Sequence, residues 1–79
     1  MVNAYIGLGS NLDNPIQHIH QAVEDLKILP KSQLILTSKL YLSKPVGPQD
    51  QDDFINSVVM LETTLEPLVL LDHLQAIEQ

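Results

Sequence analysis

Residues 45–56 restrict the possible folds of this chain more strongly than any other segment. They begin with two prolines and a glycine within four positions, a composition typical of a stiff turn. Phe54, Ile55 and Asn56 then open an alternating pattern that predicts a strand. Because strand side chains alternate between faces, Phe54 and Asn56 are predicted to share one face and Ile55 the other. A planar ligand on the first face could stack on the ring and hydrogen-bond the amide.

Composition indicates one small domain, residues 1–79, and excludes several functions. The chain has no cysteine, no basic or apolar leader and no apolar run near the roughly 20 residues of a membrane span. We therefore expect a cytoplasmic protein without disulfides. Ten acidic residues against four lysines give a net charge of −6, and arginine is absent. This charge argues against nucleic-acid binding, and the lack of arginine leaves the chain poorly equipped to hold a triphosphate.

The first predicted strand covers residues 3–8, with Ala4, Ile6 and Leu8 on its buried side. Gly7 and Gly9 near its end resemble the opening of a dinucleotide-binding fingerprint, whose last glycine is here replaced by leucine. Alternatively, the glycines let the end of the strand pass close to another backbone or to a ligand.

A helix is predicted to begin at Asn14-Pro15, with Asn14 as N-cap and Gln17 completing a capping-box-like pair. It is predicted to run to about residue 29, before Pro30. His18 and His20 are two positions apart and are interpreted as solvated surface residues rather than a metal pair. The predicted apolar stripe comprises Ile16, Ile19, Ala22, Val23 and Leu26.

Two further strands and a second helix complete the predicted order. Residues 32–43 read as one strand with Leu34, Leu36, Leu40 and Leu42 on one face, and residues 53–63 as the next. The second helix starts at Glu66-Pro67 and buries Leu68, Leu71, Leu74 and Ile77. We therefore predict an α+β fold, the β-α-β-β-α portion of a ferredoxin-like antiparallel sheet with helices on one face, truncated at the carboxyl end.

Three segments together resemble one enzyme family. They are residues 4–12 (AYIGLGSNL), residues 45–51 (PVGPQDQ) and the Phe54-Ile55-Asn56 triplet. In this order they are similar to the amino-terminal half of 6-hydroxymethyl-7,8-dihydropterin pyrophosphokinase. The resemblance implies a folate-biosynthesis kinase that transfers pyrophosphate from ATP to 6-hydroxymethyl-7,8-dihydropterin.

The resemblance also implies roles for particular residues. The Asn56 amide would bind the polar edge of the pterin and Phe54 would pack beside the ring, a combination that suits a flat heterocycle. Backbone groups of Ser43, Lys44 and Val46 would meet the remaining pterin atoms. Ser43 stands where threonine is frequent in the family. Gln75 and Glu78, which share a helix face, match its nucleotide-contacting positions, and their alternative interpretation is a solvated helix edge.

The resemblance further implies that the family's Mg²⁺ ligands and its arginine-bearing loop correspond to positions beyond Gln79, so this chain is expected to contain neither catalytic nor metal-binding residues. Asp50, Asp52 and Asp53 are interpreted as a solvated acidic loop. The 79 residues alone are expected to be inactive, because phosphoryl transfer relies on metal and cationic groups. Two alternatives remain: a small non-catalytic module that binds a pterin or a partner protein, and a chain that dimerises or exchanges strands through an exposed sheet edge.

Overall fold

The structure, a computed structural model, describes residues 1–11, 13–44, 47 and 52–77. Within them it confirms the predicted α+β class, with a four-stranded antiparallel sheet and two helices in a partial ferredoxin-like arrangement. The elements in chain order are β1 (Val2–Ser10), α1 (Pro15–Lys27), β2 (Ser32–Thr37), β3 (Tyr41–Ser43), β4 (Phe54–Thr63) and α2 (Pro67–Ile77).

Strand β4 is the centre of the sheet. It pairs with β1 along nearly its whole length, from Ser10 opposite Ile55 to Val2 opposite Thr63. Strands β2 and β3 pair with the two ends of β4. Since β1 occupies one edge of β4 throughout, β2 and β3 share its other edge.

The hydrophobic core lies between the sheet and the helices. Alternate residues of β4, from Ser57 to Thr63, are buried on this side, and the β1 residues opposite Ser57, Val59 and Leu61 are half-buried. Strict alternation of this kind is expected when only one face of an antiparallel sheet is covered. The buried apolar cluster comprises Leu26, Leu29, Val59 and Leu61, with Ile6, Leu8, Val23, Leu34, Leu65, Leu70, Leu74 and Ile77 packed against it.

The prediction of one continuous strand over residues 32–43 is wrong. Regular backbone pairing with β4 stops after Thr37, and the side chain of Ser38 takes the place of a backbone hydrogen-bonding group. The Ser38 N–H donates to the Val58 carbonyl at 2.8 Å, and the Ser38 Oγ accepts the Val58 N–H at 2.8 Å. The neighbouring Ser57 hydroxyl lies 3.1 Å from Ser38 Oγ. These bonds satisfy the backbone N–H and carbonyl of Val58 without a regular partner strand, so the chain can bend here. The described sheet therefore has four strands rather than the predicted three.

The faces of β2 also differ from prediction. A register shift between Leu34 and Leu36 places Leu36 opposite Met60, whereas Leu34 lies opposite Leu61. Leu34 therefore packs into the core and Leu36 lies on the other face, with 63% of its surface exposed. Period-two counting fails at a bulge because the extra residue reverses the order of the faces.

Helix α1 begins with Pro15 as predicted, but the predicted capping box is wrong. Asn14 adopts a left-handed conformation (φ 57°) and makes no side-chain cap hydrogen bond. A capping side chain normally requires an extended backbone at the N-cap. The helix ends at Lys27, so the buried Leu29 lies beyond it, and Ile16 is 48% exposed. The exposed positions of His18 and His20 agree with their interpretation as surface residues.

Helix α2 starts at Pro67, as predicted, and is loosely held. Leu70, Leu74 and Ile77 pack against the core, while Leu68 and Leu71, both predicted on the apolar stripe, are 76% and 47% exposed. None of the described residues of α2 is fully buried. Neither helix in the described part of the chain has the length and apolar character needed to cross a membrane.

The end of β4 is tied to the start of β2 by Thr63. Its buried Oγ1 accepts the Leu65 N–H at 3.0 Å and lies 2.7 Å from the Ser32 hydroxyl. Thr64, the next residue, is exposed, and its hydroxyl donates to the Lys31 carbonyl at 3.3 Å.

We expect Thr63→Val to lower the free energy of unfolding by about 1–3 kcal/mol, because it leaves the Leu65 N–H and the Ser32 hydroxyl without this partner at a buried site. The same substitution at Thr64 is the matched control and should cost no more than about 0.5 kcal/mol. Urea unfolding followed by circular dichroism measures both. Equal losses in the two variants would contradict this role of Thr63.

Candidate functional site

The sheet face opposite the helices carries the candidate site, which we call the open face. Phe54, Asn56 and Val58 of β4 lie on it, because the intervening residues of this strand face the core. Across the sheet, Gly9 of β1 and Tyr41 of β3 stand on either side of Asn56. Ser43 of β3 pairs with Phe54 in the same way.

The Asn56 side chain is the centre of this face and is held by its amide nitrogen. Asn56 Nδ2 donates to Ser43 Oγ at 2.7 Å. The same nitrogen lies 3.5 Å from the carbonyl oxygens of Tyr41 and Phe54, at the long limit of a hydrogen bond. The carboxamide is therefore positioned by β3 and by its own strand before any ligand is present.

Gly9 lies directly beneath the Asn56 amide on the neighbouring strand. A Cβ atom at Gly9 would lie only 2.8 Å from Asn56 Oδ1, whereas a Cβ at Gly7 would meet nothing within 4 Å. The close approach foreseen for these glycines therefore occurs at Gly9, and its partner is a side chain rather than a backbone segment. Gly7 instead leaves the neighbouring part of the open face flat.

Three of the predicted pterin-site residues come together on the open face: Ser43, Phe54 and Asn56. Phe54 is half-buried, and Lys44 is exposed directly after β3. Val46 and Glu78 lie outside the described residues.

Gln75, predicted to contact the nucleotide, lies elsewhere. It is exposed on α2 and lines a cavity of about 780 Å³ between β1, α1 and α2. Leu26, Leu71 and Leu74 also line this cavity, so it lies on the helix side of the sheet. The described residues thus do not bring Gln75 and Asn56 into one site.

The end of β1 carries a polar contact next to that cavity. The Ser10 hydroxyl lies 3.3 Å from His18 Nδ1, and both residues line the cavity. Asn11, which follows, donates from Nδ2 to the Asp52 carbonyl at 3.5 Å. This contact ties the end of β1 to the segment that leads into β4.

Among the described residues, no group of three or more histidine, aspartate or glutamate side chains could hold a metal ion. Asp52 and Asp53 are exposed, and Asp50 lies outside the described residues.

Sequence reasoning missed three contributors to the site. It assigned only the backbone of Ser43, whereas the Ser43 hydroxyl binds Asn56. It did not single out the Tyr41 carbonyl, and it did not identify Gly9 as the residue that lies beneath the Asn56 amide. The spacing of Tyr41 and Ser43, two residues apart, is a signal that both face the same side of a strand. Their position beside Asn56 depends on strand register, which spacing does not supply.

The open face is suited to recognition rather than proton transfer. Its described groups around Asn56 are a carboxamide, a hydroxyl, backbone carbonyls and an aromatic ring, none of which titrates near neutral pH. Such a set can bind a flat heterocycle by packing against its ring and hydrogen-bonding its edge.

Comparison with known proteins identifies close relatives of this sequence. The family model for 7,8-dihydro-6-hydroxymethylpterin-pyrophosphokinase matches residues 5–79. A 2-amino-4-hydroxy-6-hydroxymethyldihydropteridine pyrophosphokinase of Haemophilus influenzae is 51% identical over 78 residues, which are 99% of this chain and 49% of the relative. Its counterpart in Pseudomonas aeruginosa is 50% identical over 74 residues, 94% of this chain and 46% of the relative. The chain thus spans about half the length of these two relatives.

We expect Gly9→Ala to displace the Asn56 amide, because the added Cβ would lie 2.8 Å from Oδ1, closer than van der Waals contact allows. Since the end of the Asn56 side chain can move, the predicted cost in unfolding free energy is no more than about 1 kcal/mol. Gly7→Ala is the matched control on the same strand and should be neutral or stabilising by up to about 1 kcal/mol. The side-chain amide signals of Asn56 in ¹⁵N–¹H spectra report the displacement directly. Unchanged Asn56 signals in Gly9→Ala would contradict the assigned contact.

Proposed function

Because this chain belongs to the 7,8-dihydro-6-hydroxymethylpterin-pyrophosphokinase family, we propose that it is the pterin-recognising part of a folate-biosynthesis enzyme. That enzyme would transfer pyrophosphate from ATP to 6-hydroxymethyl-7,8-dihydropterin. Relatives at 51% and 50% identity carry the name of this activity. The proposed reaction consumes ATP, which suits a cytoplasmic location.

The observation that carries the proposal is the Asn56 carboxamide held on the open face. Its nitrogen is oriented by Ser43 Oγ at 2.7 Å, and its oxygen lies over Gly9. A pterin carries a dense row of donors and acceptors along one edge, which an oriented carboxamide can bind. Buried polar groups that match such an edge reject molecules lacking it more strongly than an apolar pocket could.

Phe54 supports binding of the pterin ring. It is the first residue of β4 and stands two residues before Asn56, on the same face of the strand. A ring at this position can pack against a planar ligand whose edge reaches Asn56. Backbone groups of Ser43, Lys44 and Val46 are proposed to meet the remaining polar atoms of the pterin.

In the proposed reaction, the hydroxymethyl oxygen of the pterin attacks the β-phosphorus of ATP. A bond forms between that oxygen and the β-phosphorus, the bond from the β-phosphorus to the oxygen bridging to the α-phosphorus breaks, and AMP leaves. The pterin hydroxyl loses its proton to solvent. The contribution of this chain is to bind and orient the pterin, so that the hydroxymethyl group faces the nucleotide.

The chain by itself is proposed to bind but not to catalyse. It has no arginine and a net charge of −6, so it lacks the guanidinium groups that stabilise charge on a transferring phosphoryl group. Magnesium is proposed to accompany ATP through ligands outside these 79 residues. Gln75 and Glu78 are proposed to contact the nucleotide.

Self-association through the edge of β1 is a further part of the proposal. Strand β1 is an edge strand of nine residues, and it contains no proline and no charged side chain. Edges of this kind readily pair with another strand, because charges and prolines are the usual protection.

Expression of the complete reading frame that contains this chain tests the reaction. With ATP, magnesium and 6-hydroxymethyl-7,8-dihydropterin, we expect one AMP for each pyrophosphorylated pterin, separated and counted by chromatography. We expect Asn56→Ala to lower kcat/KM for the pterin roughly 5- to 150-fold, as for loss of a ligand-binding polar group worth 1–3 kcal/mol.

Asn3→Ala is the matched control, because Asn3 is an exposed asparagine on the same face at the far end of β1. It should leave kcat/KM unchanged. Formation of ADP instead of AMP would contradict the proposed transfer. Pterin binding without either product, from a reading frame that stops at Gln79, would favour the non-catalytic module.

For self-association, we expect the 79-residue chain to sediment as a concentration-dependent dimer. Gly7→Lys places a charge at the middle of β1, where the added Cβ meets nothing within 4 Å, and should weaken the dimer at least tenfold. Gln33→Lys makes the same charge change on β2 and should leave the dimer intact. A compact monomer at millimolar concentration would contradict the proposal. If the 79-residue chain dimerises and the protein of the complete reading frame does not, the additional residues of the longer protein cover this edge.

A further inference from the structure

We propose that the Ser43 hydroxyl is a positioning residue that holds the Asn56 carboxamide in place, in the orientation that the Tyr41 and Phe54 carbonyls select, so that Oδ1 meets the ligand. The inference rests on the proposed function for the identity of that ligand, but its geometry is independent of it. It goes beyond the backbone role expected for Ser43, because it assigns a task to the side chain.

The first argument is the length of the contact. Asn56 Nδ2 lies 2.7 Å from Ser43 Oγ, while its two other acceptors are 3.5 Å away. Hydrogen bonds weaken steeply toward that longer distance. The hydroxyl is therefore the dominant partner of the nitrogen among the described residues.

The second argument concerns the orientation of the amide. The carbonyl oxygens of Tyr41 and Phe54 flank the same amide atom, and a carbonyl oxygen can only accept. If the amide were rotated by half a turn, Oδ1 would face both carbonyls and the two contacts would become repulsive. The nitrogen must therefore point toward β3, and the oxygen must point toward Gly9.

The consequence is a defined hydrogen-bonding edge. In the described part of the chain, the side-chain hydrogen bonds of Asn56 are all made by Nδ2, so Oδ1 is presented as an acceptor. A ligand must then place a donor at this atom. The N3–H and the 2-amino group of a pterin are donors of this kind.

Ser43 has a second effect through its own proton. Because its oxygen accepts from Asn56, its O–H is directed away from that nitrogen and can donate to an acceptor of the ligand. Successive hydrogen bonds of this type polarise and strengthen one another. Threonine preserves this hydrogen bond and alanine removes it, so the two substitutions separate the hydroxyl from the backbone of residue 43.

The test compares Ser43→Ala and Ser43→Thr by calorimetry with 6-hydroxymethylpterin and its 2-desamino analogue. We expect Ser43→Ala to weaken binding of the pterin about tenfold, the usual effect of losing one hydrogen bond. Its preference over the analogue should shrink by a similar factor. Ser43→Thr should restore both affinity and preference.

Ser32→Ala is the matched control, since the Ser32 hydroxyl makes a contact of the same 2.7 Å length, to Thr63 Oγ1, at the far end of the sheet. It should lower stability without changing the preference between the two ligands. An equal change of preference in Ser32→Ala and Ser43→Ala would overturn the proposal, because stability alone would then explain it.

A readout without ligand keeps the inference separate from the proposed function. The ¹⁵N–¹H signals of the Asn56 amide should move and exchange faster with solvent in Ser43→Ala, and should be close to wild type in Ser43→Thr. If they do not move in Ser43→Ala, the positioning role is wrong even if the pterin binds. If they move as expected while no pterin binds to the wild-type protein, the proposed ligand is wrong and the positioning role stands.

Discussion

The pairing of β4 with strands on both of its edges is the interaction on which the rest of the structure depends. Strand β4 binds β1 along one edge and β2 and β3 along the other, so every other element is positioned relative to it. Its alternate side chains separate two environments. Ser57, Val59, Leu61 and Thr63 build the core beneath the helices, while the residues between them face the opposite side. A one-residue slip of this strand would exchange the two sets.

This division leaves one face of a very small sheet free for the candidate site. A domain of this size has a marginal core, and here the helices cover only one side of the sheet. The other side is left for binding, and the polar groups there are held by hydrogen bonds within the sheet, chiefly Asn56 to Ser43. Gly9 completes the arrangement by leaving room for the amide. The contacts that hold the candidate site are therefore separate from those that form the core.

Much of the architecture could be predicted because it follows from local patterns. Alternation in residues 53–63 predicted β4, and apolar spacing predicted α1 and α2 to within a few residues. The interruption at Ser38 and the shift between Leu34 and Leu36 could not be predicted. Both arise where a side chain or an extra residue replaces regular pairing with β4, and the neighbouring sequence contains no signal for it. The failed capping box at Asn14 is similar, since its backbone is left-handed.

The sequence by itself determined the fold class, the family resemblance and the placement of Phe54 and Asn56 on one face, because alternation and motif order are properties of neighbouring residues. Only the tertiary structure decided which groups surround Asn56. Ser43, Tyr41 and Gly9 come from two other strands, and their distances depend on the register of β1 and β3 against β4. Register is set by pairing between segments distant in the chain. The orientation of the Asn56 amide is a consequence of that pairing.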